Sequence, residues 1–320
     1  MSQPPISAPI SPRISVVVAV QFAQANLPAI LAALGPGMAA GRAEVLVCHA
    51  ADDPVDLGPV DLGPQTGLRV LTGEVGALIP ELWRDGILAA GSAVVATLTA
   101  HCLPEADWLD VACGLDMAGP DRTGLAGIGG LIVSDPDSDA PGSDAPGSDP
   151  AGAAIHLLRY HAYATAQAPR AEKEIAADNA LYLRAEILAC DDLLPGGFWE
   201  PAFHARFRLR GLGLELHPAL VVSHANRYTP GQFMRQRRRH GYHFGLSRAL
   251  AAAPARRWLM LLTSPAAFPV FAIKLTRSVR RDPVLRRGWL RAAPWLYLFM
   301  ANWCWGEMRG YAAAVAGKRR

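Results

Sequence analysis

The chain has 320 residues, 51% of them apolar and 18% charged, which excludes a disordered or fibrous class and leaves one large α/β domain or two ordinary ones. Its net charge of +3 conceals a split, because 18 of the 31 Lys and Arg residues but only two of the 28 acids lie from Arg235 onward. Five widely spaced cysteines without a C-x-x-C exclude a zinc ribbon or disulfide framework and fit a reducing cytoplasm.

Residues 1–12 are rich in Pro and Ser and lack the basic start and apolar core of a signal peptide, so they read as a flexible lead-in. Ser15 to Val20 is an apolar β-branched run and predicts a buried strand. Asn26 is placed to cap a helix, with Pro28 in the first turn and Gly35 at its end. Strands follow at Glu44 to Cys48 and Leu68 to Leu71, then a helix from Pro80 to Ala90 stopped by Gly91. Ala93 to Leu98 predicts another buried strand, Pro104 to Met117 a helix, and Leu125 to Val133 a strand.

The repeat SDAPG SDAPG SDP occupies Ser138 to Pro150 and cannot build a core, so an exposed insertion is expected over about 135–152. A helix over Ala154 to Ala166, a strand over Asn179 to Arg184, a short helix, the segment Gly196 to Gly211, and strands LELHP and ALVVSH come next. Pro230 to about Ala252 reads as a long basic helix. This alternation predicts an α/β fold, a mixed, mostly parallel sheet flanked by helices, over 13–250.

A basic, aromatic-rich helical tail is expected over 251–320. Its two apolar stretches, Trp258 to Ile273 and Ala292 to Gly306, are each shorter than the roughly 20 residues a spanning helix needs, and Pro265 and Pro269 interrupt the first. Trp289, Trp295, Tyr297, Trp303, Trp305 and Tyr311 crowd the second, beside an Arg-rich linker. Aromatic crowding and clustered arginines favour a membrane–water interface with anionic lipid, the catalytic domain lying on the cytoplasmic side. Long apolar stretches in place of exposed stacking platforms argue against nucleic acid.

The sequence Gly91 to Leu109, GSAVVATLTAHCLPEADWL, carries a strand after A-x-G and before C-x-P-x-x-x-W-L. It resembles the family 2 glycosyltransferases of the GT-A fold. The resemblance implies an inverting transfer of a sugar from a nucleotide-sugar donor, with a lipid-linked or envelope-polysaccharide acceptor. It also implies an Asp-x-Asp holding a metal where this chain has Thr99, Ala100 and His101. Gln21 falls in the turn after the first strand, and His49 stands where the family has a base-contacting aspartate, with Asp52 and Asp53 just beyond. Asn179 matches an asparagine facing the sugar.

By the same resemblance Glu200 aligns with the catalytic base, and Gln236 and Arg239 match a Gln-x-x-Arg-Trp motif that binds acceptor or diphosphate; helical spacing puts His204 one turn after Glu200 on the same face, as its expected orienting partner. Thr99 and His101 are poor ligands for the hard cations Mg2+ or Mn2+. Three arrangements follow. The leading one is metal-independent, with protonated His101 and the arginines near Arg239 meeting the diphosphate charge. The others are His101 as a metal ligand with an acid from elsewhere, and an inactive relative that binds a partner at the membrane. A dinucleotide enzyme is excluded because no G-x-G-x-x-G follows Ala19-Val20-Gln21-Phe22.

Overall fold

The structure, a computed structural model, describes residues 13–57, 67–117, 119, 122–134, 149–281, 286 and 289–317. The expected lead-in and most of the repeat insertion lie outside these residues. The chain forms two compact units, residues 1–135 with 162–225, and residues 136–161 with 226–320.

The first unit is built on one sheet. Strands β1 (Ile14–Val20), β2 (Ala43–Ala50), β3 (Leu68–Gly73) and β4 (Val94–Thr99) pair in parallel in the order β3-β2-β1-β4. Strand β8 (Asn179–Leu183) then runs antiparallel between β4 and β6 (Leu125–Ser134). Beyond β6 lies β9 (Gly213–His224), parallel to it, with β5 (Cys102–Pro104) and β7 (Arg170–Glu172) antiparallel on β9. This is the mixed sheet flanked by helices that the sequence predicts.

Period-two alternation sends Val17, Ala19, Leu46 and Cys48 to the face covered by α2 (Ile79–Ala89). Gly86 of α2 lies so close that a Cβ there would meet Val17 Cγ1 at 2.2 Å. Helix α6 (Glu200–Leu209) adds Phe203 and Phe207 to the same core.

Several boundaries differ from the sequence reading. Helix α1 (Leu27–Ala39) continues through Gly35 and Pro36 instead of ending at Gly35. Asn26 makes no side-chain cap; its amide donates to the carbonyls of Ala100 (2.8 Å) and Ala225 (3.0 Å), because a buried amide is better satisfied by two strand-end acceptors. The predicted 104–117 helix shortens to α3 (Trp108–Gly114) behind the short strand β5. LELHP and ALVVSH are one strand, β9, with a register break at its middle.

In the second unit, α4 (Pro150–Tyr160) starts inside the end of the expected insertion, where Asp149 accepts from the Ala151 and Gly152 amides. Helix α7 (Pro230–Leu250) lies in this unit and packs along α10 (Trp289–Val315). The reason is a pair of matched glycine spacings, Gly241 with Gly245 and Gly306 with Gly310. A Cβ on any of the four would lie 2.2–2.3 Å from a carbonyl oxygen of the facing helix. Small residues four apart let two helix backbones meet. The second stretch of the unit, α8 (Pro254–Thr263) followed through a 3-10 turn by α9 (Ala267–Arg281), is continuous from Pro254 to Arg281 despite Pro265 and Pro269. Its 28 residues, of mean hydropathy 1.5 over the most apolar window, are long and apolar enough to cross a membrane, and that window is mostly exposed.

Gly241→Ala should destabilise the helical unit by about 1–3 kcal/mol, the usual cost of overpacking. Gly231→Ala, where the nearest atom to a new Cβ is 3.9 Å away, should leave stability unchanged or slightly raised. Thermal unfolding of the two variants beside wild type measures both.

Candidate functional site

In an open sheet whose order reverses between neighbouring strands, ligands bind beyond the carboxyl ends at that reversal. Here the reversal lies between β1 and β4, and it gathers Gln21, Thr99 and His101. All three are buried, Thr99 and His101 completely. His101 bridges the two strands through Nε2, 2.9 Å from the Gln21 carbonyl, and its own carbonyl accepts from the Ala225 amide at 2.8 Å. As placed, His101 braces the strand ends.

A carboxylate reaches the Thr-Ala-His triplet from the residue that precedes β8. Asp178 lies one step past the Leu98–Asn179 pair of the β4–β8 ladder, and its Oδ1 accepts from the Thr99 hydroxyl at 3.0 Å. Asp178 is one residue before Asn179, and its only signal in the sequence is its place before a strand, which runs antiparallel to β4.

Asn179 itself is fully buried and committed. Its Oδ1 accepts from Trp108 Nε1 at 2.9 Å, and its Nδ2 donates to the carbonyls of Leu131 (2.9 Å) and Leu220 (3.1 Å). Those carbonyls flank the register break between β6 and β9, so the side chain mends a gap in the ladder. The Asn179 side chain acts as a clasp.

His49 holds its own strand end. Nδ1 donates to the Ala50 carbonyl at 2.9 Å and Nε2 accepts from the Thr72 hydroxyl at 3.1 Å, a tautomer assigned from these partners. Asp53 ties the β1 turn down, accepting from the Phe22 amide at 2.8 Å and from Gln24, and Asp52 accepts from the Gly76 amide at 2.5 Å. Phe22, 39% exposed, is held at φ 57° by that contact, a strained backbone for a bulky residue.

Glu200 opens α6 with Pro201 behind it and is partly exposed. His204, one turn on, does not pair with it. Nδ1 of His204 donates to Glu174 Oε2 at 2.8 Å and Nε2 accepts from the Tyr182 hydroxyl at 3.0 Å, so both ring nitrogens are taken and the orienting carboxylate is Glu174. Burial holds the His204 imidazolium below its ordinary range, and Glu174 offsets this only in part. The same acids act on two phenols. Burial, then Glu200, Glu174, Glu172 and Asp178 in turn, push the Tyr163 phenol upward, and burial with Glu200, Glu174 and Asp178 does the same to Tyr182.

Gln236 and Arg239 belong to the second unit. Gln236 is buried, its Oε1 accepting from Arg237 Nε at 2.6 Å and its Nε2 lying 3.3 Å from His240 Nε2, whereas Arg239 is exposed. Helical geometry puts them 60° apart around α7, and the burial boundary runs between them.

The strand-end donor set does not fit a hard divalent cation. It offers one carboxylate, one hydroxyl and a buried imidazole where Mg2+ or Mn2+ takes several oxygens. Among the described residues no three His, Cys, Asp or Glu side chains gather as a metal site.

No family model matches the chain, and no curated protein matches its sequence. Solved structures do resemble it. A mannosyltransferase from Pyrobaculum calidifontis in complex with GDP-mannose and Mn2+ aligns at TM-score 0.46 and 16% identity over 99% of this chain and 80% of its own. A mycobacterial protein aligns at TM-score 0.44 and 13% identity, over 72% and 73%. Glucosyl-3-phosphoglycerate synthase from Mycobacterium tuberculosis, in complex with Mn2+, UDP-glucose and glycerol 3-phosphate, aligns at 0.41 and 14%, over 72% and 78%. Likeness of this degree assigns no activity.

Asn179→Ala should cost about 2 kcal/mol or more, since it strands the Trp108 N–H and two carbonyls at about 1–3 kcal/mol per unsatisfied group. Denaturant unfolding reads this, and an unchanged midpoint would contradict the clasp. His204 gives a pH test. Its proton affinity is lower folded than unfolded, so its contribution to stability is whole above the unfolded value of 6.5 and is lost as pH falls below it. Unfolding midpoints compared at pH 8 and pH 5.5 should fall on the acid side, and His204→Gln should flatten part of that fall.

Proposed function

We propose that the chain is a nucleotide-sugar-dependent glycosyltransferase of GT-A type, acting with inversion on a lipid-linked or envelope glycan acceptor at a membrane surface. The observation that supports this best is the Asp178 carboxylate hydrogen-bonded at 3.0 Å to Thr99, the last residue of β4, at the carboxyl edge of a parallel sheet. Such an edge is where an α/β protein receives a nucleotide. In this reading Glu200, the partly exposed member, takes the proton from the acceptor hydroxyl as it attacks the anomeric carbon. A positioned base supplies about 10²- to 10⁴-fold. Glu174, His204 and Tyr182 form a hydrogen-bonded line that fixes the floor under α6. Thr99, Asp178 and His101 shape the strand ends, and Phe22 offers an exposed ring at the mouth of β1. The exposed apolar stretch from Pro254 to Arg281 supports membrane association.

A second reading is favoured by one specific observation, the complete burial of Thr99 and His101, which in a working enzyme of this type stand close to the diphosphate. Under it the chain is an inactive relative that binds a glycan, lipid or protein partner.

Thermal-shift screening against a panel of nucleotides and nucleotide sugars, with and without Mn2+, followed by donor-hydrolysis assays, separates the two. The enzyme reading expects one donor to stabilise the protein, and Glu200→Gln to lower turnover about 10²- to 10⁴-fold while donor binding persists. Stabilisation by no donor, and hydrolysis of none, would establish the second reading.

A further inference from the structure

The helical unit carries an open cavity of about 490 Å³ whose lining includes Arg237 of α7, Phe271, Lys274 and Leu275 of α9, and Met300 and Trp303 of α10. Its chemistry is two-sided. Phe271, Leu275, Met300 and Trp303 present apolar surface, and the two cations stand on different helices. Phe271, Lys274, Leu275 and Ser278 share one face of α9 at i, i+3, i+4 and i+7, so the cavity wall is a regular helical stripe.

Arg237 is preset. Its Nε–H donates to Gln236 Oε1 at 2.6 Å, and its guanidinium lies 4.8 Å from the Phe233 ring centre and 5.3 Å from that of Trp303. Stacked and hydrogen-bonded, it loses little freedom on meeting an anion, and its planar fork matches phosphate oxygens. Lys274 is exposed, with no carboxylate within 4.0 Å among the described residues. From residue 226 to 317 the only described acid is Glu307, which is engaged by Arg248 and Tyr311.

The cavity opens at Phe271, which is 41% exposed on the mostly exposed 254–281 stretch. A ligand that satisfies both parts has a phosphate head and a hydrocarbon chain.

We propose that this cavity seats one phosphate-headed lipid of the bilayer, its phosphate between Arg237 and Lys274 and its chain against Phe271, Leu275, Met300 and Trp303. The proposal rests on the reading of this unit as membrane-associating. It also reassigns the Gln-Arg-Arg-Arg motif of α7, because the arginine at the cavity is Arg237, braced by Gln236, and not Arg239.

Decyl phosphate, kept below its aggregation concentration, tests this on the full-length protein through the fluorescence of Trp303 and its neighbours. Saturable binding at least tenfold tighter than that of 1-decanol or inorganic phosphate is expected. Lys274→Glu should weaken it at least tenfold without moving the melting temperature, and Ser278→Trp, which fills the rim, should abolish it. Equal affinity for decanol or for inorganic phosphate, or unchanged binding in both variants, overturns the proposal. Co-sedimentation with phosphatidylglycerol vesicles reads the underlying membrane association by itself. Retained sedimentation with lost decyl phosphate binding removes the cavity alone, whereas lost sedimentation removes the membrane reading.

Discussion

The insertion of β8 against β4 is the constraint from which the first unit takes its shape. Four parallel strands end at β4, and an antiparallel neighbour brings residues from a distant part of the chain to the same edge. Three side chains on this one short segment do different work. Asp178 meets Thr99, Asn179 mends the ladder between β6 and β9 and holds Trp108, and Tyr182 carries the hydrogen bond to His204. Slipping this register by one residue would turn each of them to the other face of the sheet. The edge, the clasp and the floor under α6 therefore stand or fall together.

Local signals were legible where a single period or a single residue decides the structure. The β-branched run of β1, the Val94–Thr99 strand and the Pro-led start of α7 all reflect chemistry that acts within a few residues. What escaped depends on long-range pairing. Asp178 is 79 residues from Thr99, and nothing nearer than the β4–β8 register connects them. Asn26 has the composition of a helix cap but gives its amide to carbonyls 74 and 199 residues away. His204 was rightly placed one turn from Glu200, yet the partner it takes, Glu174, comes from another segment. Helical spacing predicts which residues share a face, not which of them the rest of the fold buries, and this is how Gln236 and Arg239 came to be separated.

The second unit shows a different kind of hidden information. Gly241, Gly245, Gly306 and Gly310 are unremarkable in composition, and each lowers helix propensity. Their sense lies in the match between two helices, where the absence of side chains brings α7 and α10 into backbone contact. That contact sets Arg237 beside Trp303, and hence a fixed cation beside an apolar wall. The cavity is a consequence of how closely those two helices pack.

Charge separates the two units in kind. The strand ends and α6 of the first carry Asp52, Asp53, Asp178 and Glu200, and the chain's surplus of Lys and Arg begins at Arg235. Such an edge is acidic. It is ill suited to a departing diphosphate, whose growing charge must be met by fixed positive charge or donors. If sugar transfer takes place here, that compensation comes from outside the strand ends, where His101 is committed to the Gln21 carbonyl and, through its own carbonyl, to the Ala225 amide.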